Sequence, residues 1–131
     1  MTSIKSLCII DDDPIYTFGV KKIIEMGNFD VNAMFYQNGQ EAYEGLASKI
    51  DNGDPLPDMI LLDINMPIWN GWKFLDEFLK IEPATNIIIY IISSSIDPND
   101  TKKAKEYSVI KNFIVKPISI EKVKELLEEN T

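Results

Sequence analysis

The nine residues Met59-Ile60-Leu61-Leu62-Asp63-Ile64-Asn65-Met66-Pro67 constrain the fold more than any other stretch of the chain. Four apolar residues run straight into a carboxylate, and a proline soon afterwards closes off further strand pairing. A short apolar run bounded by turn signals reads as a strand covered on both faces, the condition of a parallel sheet beneath helices. Asp63 then stands at the strand's carboxyl end, the side on which open α/β sheets bind their ligands. The simpler alternative is that Asp63 caps a following helix, since Asp is a good N-cap. Pro67 and Asn70-Gly71 put the next helix start too far downstream for that.

The rest of the chain repeats the pattern. Leu7-Cys8-Ile9-Ile10 reads as a first strand, ending in Asp11-Asp12-Asp13-Pro14. Asp13 as N-cap with Pro14 in the first turn predicts a helix, its apolar face marked by Ile15, Phe18, Ile23 and Ile24 and its stop by Gly27. Val31 to Tyr36 reads as an edge strand, and Asn38-Gly39-Gln40-Glu41 resembles a capping box opening a helix to about Ile50. Asp51 to Pro55 is a loop by composition. After the Met59 strand comes a helix carrying Phe74, Leu75, Phe78 and Leu79. Ile87 to Ile92 is the most buried-looking strand, closing on Ser93-Ser94-Ser95, and Asp97-Pro98 opens another helix. Phe113-Ile114-Val115 is a short fifth strand ending at Lys116-Pro117. Ser119 caps a last helix with Ile120, Val123, Leu126 and Leu127 turned inward.

Five strand–helix alternations, with no linker or repeat between them, argue for one α/β domain over residues 1–131, with helices on both faces of a parallel sheet. Five strands favour the flavodoxin-like order 2-1-3-4-5, in which strands one and three meet at the switch point. In that order Asp11, Asp12 and Asp63 converge on one rim with Ser93 and Lys116.

Composition narrows the chemistry. The formal net charge of −8 argues against non-specific binding to nucleic acid or an anionic membrane surface. The chain has no histidine and one cysteine, Cys8, placed like a small buried hydrophobe. No stretch approaches transmembrane length and no signal peptide is legible, which makes the cytoplasm the expected location. Two carboxylates about 4–5 Å apart repel by roughly 3–4 kcal/mol at an effective dielectric of 20, so three of them beside one lysine call for a cation. Their oxygens are hard ligands, pointing to Mg²⁺ or Mn²⁺ and away from zinc. A cation site, a lysine and a hydroxyl make a clamp for phosphoryl oxygens, and one carboxylate of the set can serve as nucleophile.

With Ile10-Asp11-Asp12, Leu62-Asp63-Ile64-Asn65-Met66-Pro67, Gly71, Ser93 and Lys116-Pro117 in place, the chain resembles the response-regulator receiver domains of two-component signalling from Leu7 to about Glu129. The resemblance implies Asp63 as phosphoacceptor. It implies Mg²⁺ held by the carboxylates of Asp12 and Asp63, by Asp11 largely through water, and by the backbone carbonyl of Asn65. Lys116 and Ser93 would contact the phosphoryl group, and Phe113 falls on the position of the family's aromatic switch, often a tyrosine. A histidine kinase or histidine phosphotransfer protein would be the donor. The chain would catalyse only its own phosphorylation and dephosphorylation, without turning over an external substrate. It ends just after the fifth helix, so output is expected through contact with a downstream protein at the face of helix four, strand five and helix five. A flavodoxin-like electron carrier would need a phosphate-binding loop where three aspartates stand. A haloacid-dehalogenase-type hydrolase would need a second aspartate after Asp63-Ile64. A phosphorylation-independent adaptor would not need the complete acidic set.

Overall fold

The computed structural model describes residues 4–81, 86–94 and 97–130. Ser95, the last of the three serines expected to close the fourth strand, lies outside them. Five strands, β1 (Ser6–Ile10), β2 (Asn32–Tyr36), β3 (Met59–Asp63), β4 (Ile88–Ser93) and β5 (Ile110–Val115), alternate with five helices. The helices are α1 (Pro14–Met26), α2 (Gly39–Asn52), α3 (Gly71–Phe78), α4 (Pro98–Ala104) and α5 (Ile120–Glu129). All neighbouring strands pair in parallel, in the order β2-β1-β3-β4-β5. The expected doubly wound arrangement is therefore the observed one.

The period-2 geometry of the strands divides the core. Cys8, Ile10, Ile60, Leu62, Ile89 and Ile91 pack with Ala42, Leu46, Phe74 and Phe78 beneath α2 and α3. Leu7, Ile9, Met59, Leu61, Tyr90 and Ile92 pack with Val20, Val123, Leu126 and Leu127 beneath α1 and α5. β3 is buried at every position, which explains why it carries no polar residue before Asp63.

Local signals set the helix starts as expected. Asp13 accepts hydrogen bonds from Ile15 N–H at 3.0 Å and Tyr16 N–H at 3.3 Å. Asn38, Asn70, Asp97 and Ser119 cap the other four helices in the same way. Three expectations need correction. α2 runs on through Asn52, two residues into the expected loop, before Gly53 ends it. Ile15 and Phe18 do not face the core; they are exposed, at 82% and 60%. The inward face of α1 instead runs through Tyr16, Val20, Ile23 and Ile24, rotated by about one residue. The fifth strand also begins at Ile110, three residues before the apolar run, because Lys111 and Asn112 are exposed on an edge strand and carry no hydrophobic signal.

Candidate functional site

Strand register brings the rim together. Ile10 pairs with Leu62 and Asp63 with Ile92, so β1, β3 and β4 run out of the sheet side by side. The main chain of Lys116 then donates to the Ser93 carbonyl at 2.8 Å, fastening the end of β5 to the end of β4. The helix after β3 starts at Gly71, whose N–H donates to the Ile64 carbonyl at 3.0 Å. A Cβ at Gly71 would lie 2.7 Å from the Asp63 carbonyl oxygen and 2.8 Å from Ile64 Cα, so only glycine lets the helix approach this closely. Asp63 caps nothing: α3 takes its cap from Asn70.

Asp11 and Asp63 are buried and Asp12 is exposed. One carboxylate oxygen from each of the three lies within 4.8 Å of the others. Asp11 Oδ1 accepts the Asp13 N–H at 2.9 Å, and Asp63 Oδ1 accepts the Asn65 N–H at 3.2 Å. Each carboxylate thereby spends one oxygen on its own loop and turns the other to the centre. There Lys116 Nζ lies 2.7 Å from Asp11 Oδ2 and 3.7 Å from Asp63 Oδ2. The shorter contact is an ion pair without hydrogen-bond alignment, which leaves Asp11 Oδ2 buried and lacking a directed hydrogen bond. Burial, with the Asp11 charge adding to it, pushes the Asp63 carboxyl up to about 6, against the pull of Asn65 N–H and Lys116.

The donor set fits a hard divalent cation. Two buried carboxylates and a third at the rim outweigh the Lys116 ammonium, and the under-bonded Asp11 oxygen faces the cluster. When bound, such a cation supplies positive charge for anionic oxygens at the rim.

Ser93 is buried at the end of β4, beside the Asp63 strand. Phe113 is half-buried, in register with Ile91, and packs on the α2–α3 side of the sheet. Asn65 is exposed on the loop beyond Asp63. One neighbour went unread in the sequence: the ring of Tyr16, with its centroid 4.4 Å from Lys116 Nζ. The two are 100 residues apart, and the only sequence signal was that Tyr16 falls in the first turn after the capping aspartate. Ile68, in the same rim loop as Asn65, has φ 68°, a left-handed conformation that a β-branched side chain adopts only under strain.

The comparisons with known proteins agree with this geometry. The chemotaxis protein CheY of Thermotoga maritima is 30% identical over 125 residues, covering 95% of this chain and 96% of that protein. The nitrate/nitrite response regulator protein NarL of Escherichia coli is 34% identical over 89 residues, 68% of this chain but 38% of NarL. The crystal structure of a two component response regulator from Cytophaga hutchinsonii superposes with a TM-score of 0.85 at 32% identity, covering 96% of both chains. The sequence profile of the response regulator receiver domain matches residues 7–128, a span containing the five strands but for Ser6 and the whole acidic rim. With profile, relatives and rim in agreement, the chain belongs to the response regulator receiver domain family.

Proposed function

We propose that Asp63 is the phosphoacceptor of a signalling switch, loaded by a partner histidine kinase or histidine phosphotransfer protein. The observation that carries this reading is the pairing of Asp63 Oδ2 with an ammonium 3.7 Å away, inside a cluster of three carboxylates. A carboxylate oxygen of Asp63 attacks phosphorus, and the P–N bond of the donor imidazole breaks with its electron pair leaving on nitrogen. Hydrolysis later returns the carboxylate and releases inorganic phosphate. Asp11, Asp12, Asp63 and the Asn65 backbone carbonyl would hold Mg²⁺ or Mn²⁺. Lys116 neutralises phosphoryl oxygens from the β5 side, and the Ser93 hydroxyl approaches them from β4.

The chemistry ends in a change of surface, with no external substrate turned over. A phosphoryl group adds about 1.5 to 2 negative charges, drawing Ser93 and Lys116 inward and biasing Phe113 between two packings. The face of α4, β5 and α5 would present that change to a downstream protein. The reading takes residues 1–131 as one receiver unit working in the cytoplasm, with nucleic acid and membrane disfavoured by its net charge of −8.

Incubation with Mg²⁺ and a small acyl phosphate should add one phosphoryl group at residue 63, detected by mass spectrometry. Asp63→Asn should abolish the label, and Lys116→Ala should slow it at least about a hundredfold, the cost of removing one preorganised charge. Undiminished label in Asp63→Asn would sink the assignment and leave a phosphorylation-independent adaptor.

A further inference from the structure

Among the described residues, three groups stand close to the Lys116 ammonium. Two are carboxylates, Asp11 at 2.7 Å and Asp63 at 3.7 Å; the third is the face of Tyr16, 4.4 Å from the ring centroid. Tyr16 stands on the first turn of α1, and its N–H is bonded to the Asp13 cap at 3.3 Å, so the ring is carried by a well-anchored element. The Lys116 side chain is 15% exposed, which makes this a largely dry cation–π contact, the kind in which the attraction is strongest. Lys22 over Phe18, at 5.5 Å on the outer face of α1, is the solvated counterpart, its ammonium paired at 3.6 Å with the exposed Glu25.

We propose that Tyr16 is a positioning residue for Lys116, its ring holding the ammonium beside Asp63 when Asp11 is engaged by a cation. The inference rests on the reading of Asp63 as phosphoacceptor and Lys116 as its phosphoryl partner. Of the two carboxylates, Asp11 is the nearer by 1.0 Å, the difference between 3.7 and 2.7 Å. A divalent cation on Asp11 cancels that attraction and repels the ammonium. Lysine is a point charge on a flexible four-carbon stem, so without another hold it swings out to water. The ring's attraction comes from its quadrupole and survives any change of charge on the carboxylates. It is also weaker than the pull of a phosphoryl dianion, so Lys116 stays poised near Asp63 yet free to lean onto the incoming group. The face of the ring is what acts. Tyr16 Oη is buried and makes no hydrogen bond to the described residues, so its removal breaks none.

The test uses the full chain with saturating Mg²⁺ and acetyl phosphate, following the initial rate of phosphoryl addition at residue 63, while titration calorimetry reports Mg²⁺ affinity. Tyr16→Leu should lower the rate roughly tenfold at unchanged Mg²⁺ affinity, the size of one desolvated cation–π contact. Tyr16→Phe should restore it to within about twofold, because the ring is retained. A Tyr16→Leu rate equal to the parent's overturns the proposal, as does a Tyr16→Phe rate as low as that of Tyr16→Leu. A measurement on the unmodified protein guards against a misfolded variant: the Lys116 ε-methylene protons should show an upfield ring-current shift with Mg²⁺ bound, and ordinary solvent-exposed shifts would overturn the idea. Absence of label in the parent protein would instead defeat the phosphoacceptor reading, and the ring-current shift would still decide the contact.

Discussion

The two ends of β3 each carry an aspartate, and the two are used in opposite ways. Asp58, just before the strand, accepts Lys5 N–H at 2.8 Å and Ser6 N–H at 3.0 Å on one oxygen. Its own N–H donates to Ser6 at 2.9 Å and its carbonyl accepts Ile88 N–H at 3.1 Å, so it stitches three strands together. Asp63, five residues on, receives one backbone N–H at 3.2 Å and faces two other carboxylates. The same contrast holds for the backbone. The left-handed turn at the end of α2 uses a glycine, Gly53 with φ 73°, whereas the rim loop forces Ile68 to φ 68°. One end of the sheet is resolved for stability. The other keeps charge and strain unrelieved, which suits a site that must respond to a ligand.

The largest test of this contrast is the pH dependence of stability without metal. The fold raises the Asp63 carboxyl from 3.8 to about 6, so the native protein holds a proton that the unfolded chain has already released. That contribution is fully present below 3.8 and lost as pH rises through about 6. In EDTA, urea unfolding should show the parent losing up to about 3 kcal/mol between pH 4 and 7 relative to Asp63→Asn, which lacks the group. Parallel pH curves for the two proteins would mean that burial and the Asp11 charge do not hold the Asp63 carboxyl up.

Asp58→Ala should break the comparison from the other side. Losing two charge-assisted hydrogen bonds at a partly exposed position should cost about 2 kcal/mol in urea unfolding. The rate of labelling at Asp63 should stay that of the parent. A variant with parent stability but impaired labelling would reverse the roles assigned to the two ends.

The smallest effect is expected at Ile68. Its side chain is 73% exposed, so removing it forfeits little packing. Ile68→Gly should raise the thermal midpoint, with a net gain of about 0.5–1 kcal/mol once the entropy of glycine is set against the relieved strain. A loss of stability would show that the isoleucine is supported by contacts that outweigh its backbone conformation.

Much of this molecule could be read from residue order because its signals are local. Apolar runs give the strands, Asp-Pro pairs and Ser119 give helix starts, and the abrupt end of β3 marks Asp63 as belonging to a rim. What escaped was decided by tertiary contact. Ile15 and Phe18 are as apolar as Val20, and only the seating of α1 on the sheet determines which of them is buried. β5 takes Asn112 into the sheet because Tyr90 of β4 supplies the pairing, with Lys111 carried along at the register shift between Ile89 and Tyr90, not because of their own propensity. The convergence of Asp11, Asp12 and Asp63 was accessible only through the strand order. The Tyr16–Lys116 contact depends on how α1 and the β5–α5 loop meet, for which neither sequence carries a pattern.

The close fit at Gly71 has a mechanical consequence. The start of α3 rests on the main chain of residues 63 and 64, with β1 and β4 flanking the same strand. Asp63 is thus a carboxylate on a closely packed mount, and a phosphoryl group there, as proposed, would have little room to displace β3. Displacement must be exported sideways, through side chains reaching in from the loops after β4 and β5. Of those two strands, β5 lies at the sheet's edge and has only one neighbouring strand to restrain it. Under the proposed phosphorylation of Asp63, firm seating at that residue and freedom at the edge would give the domain a direction in which to transmit a signal.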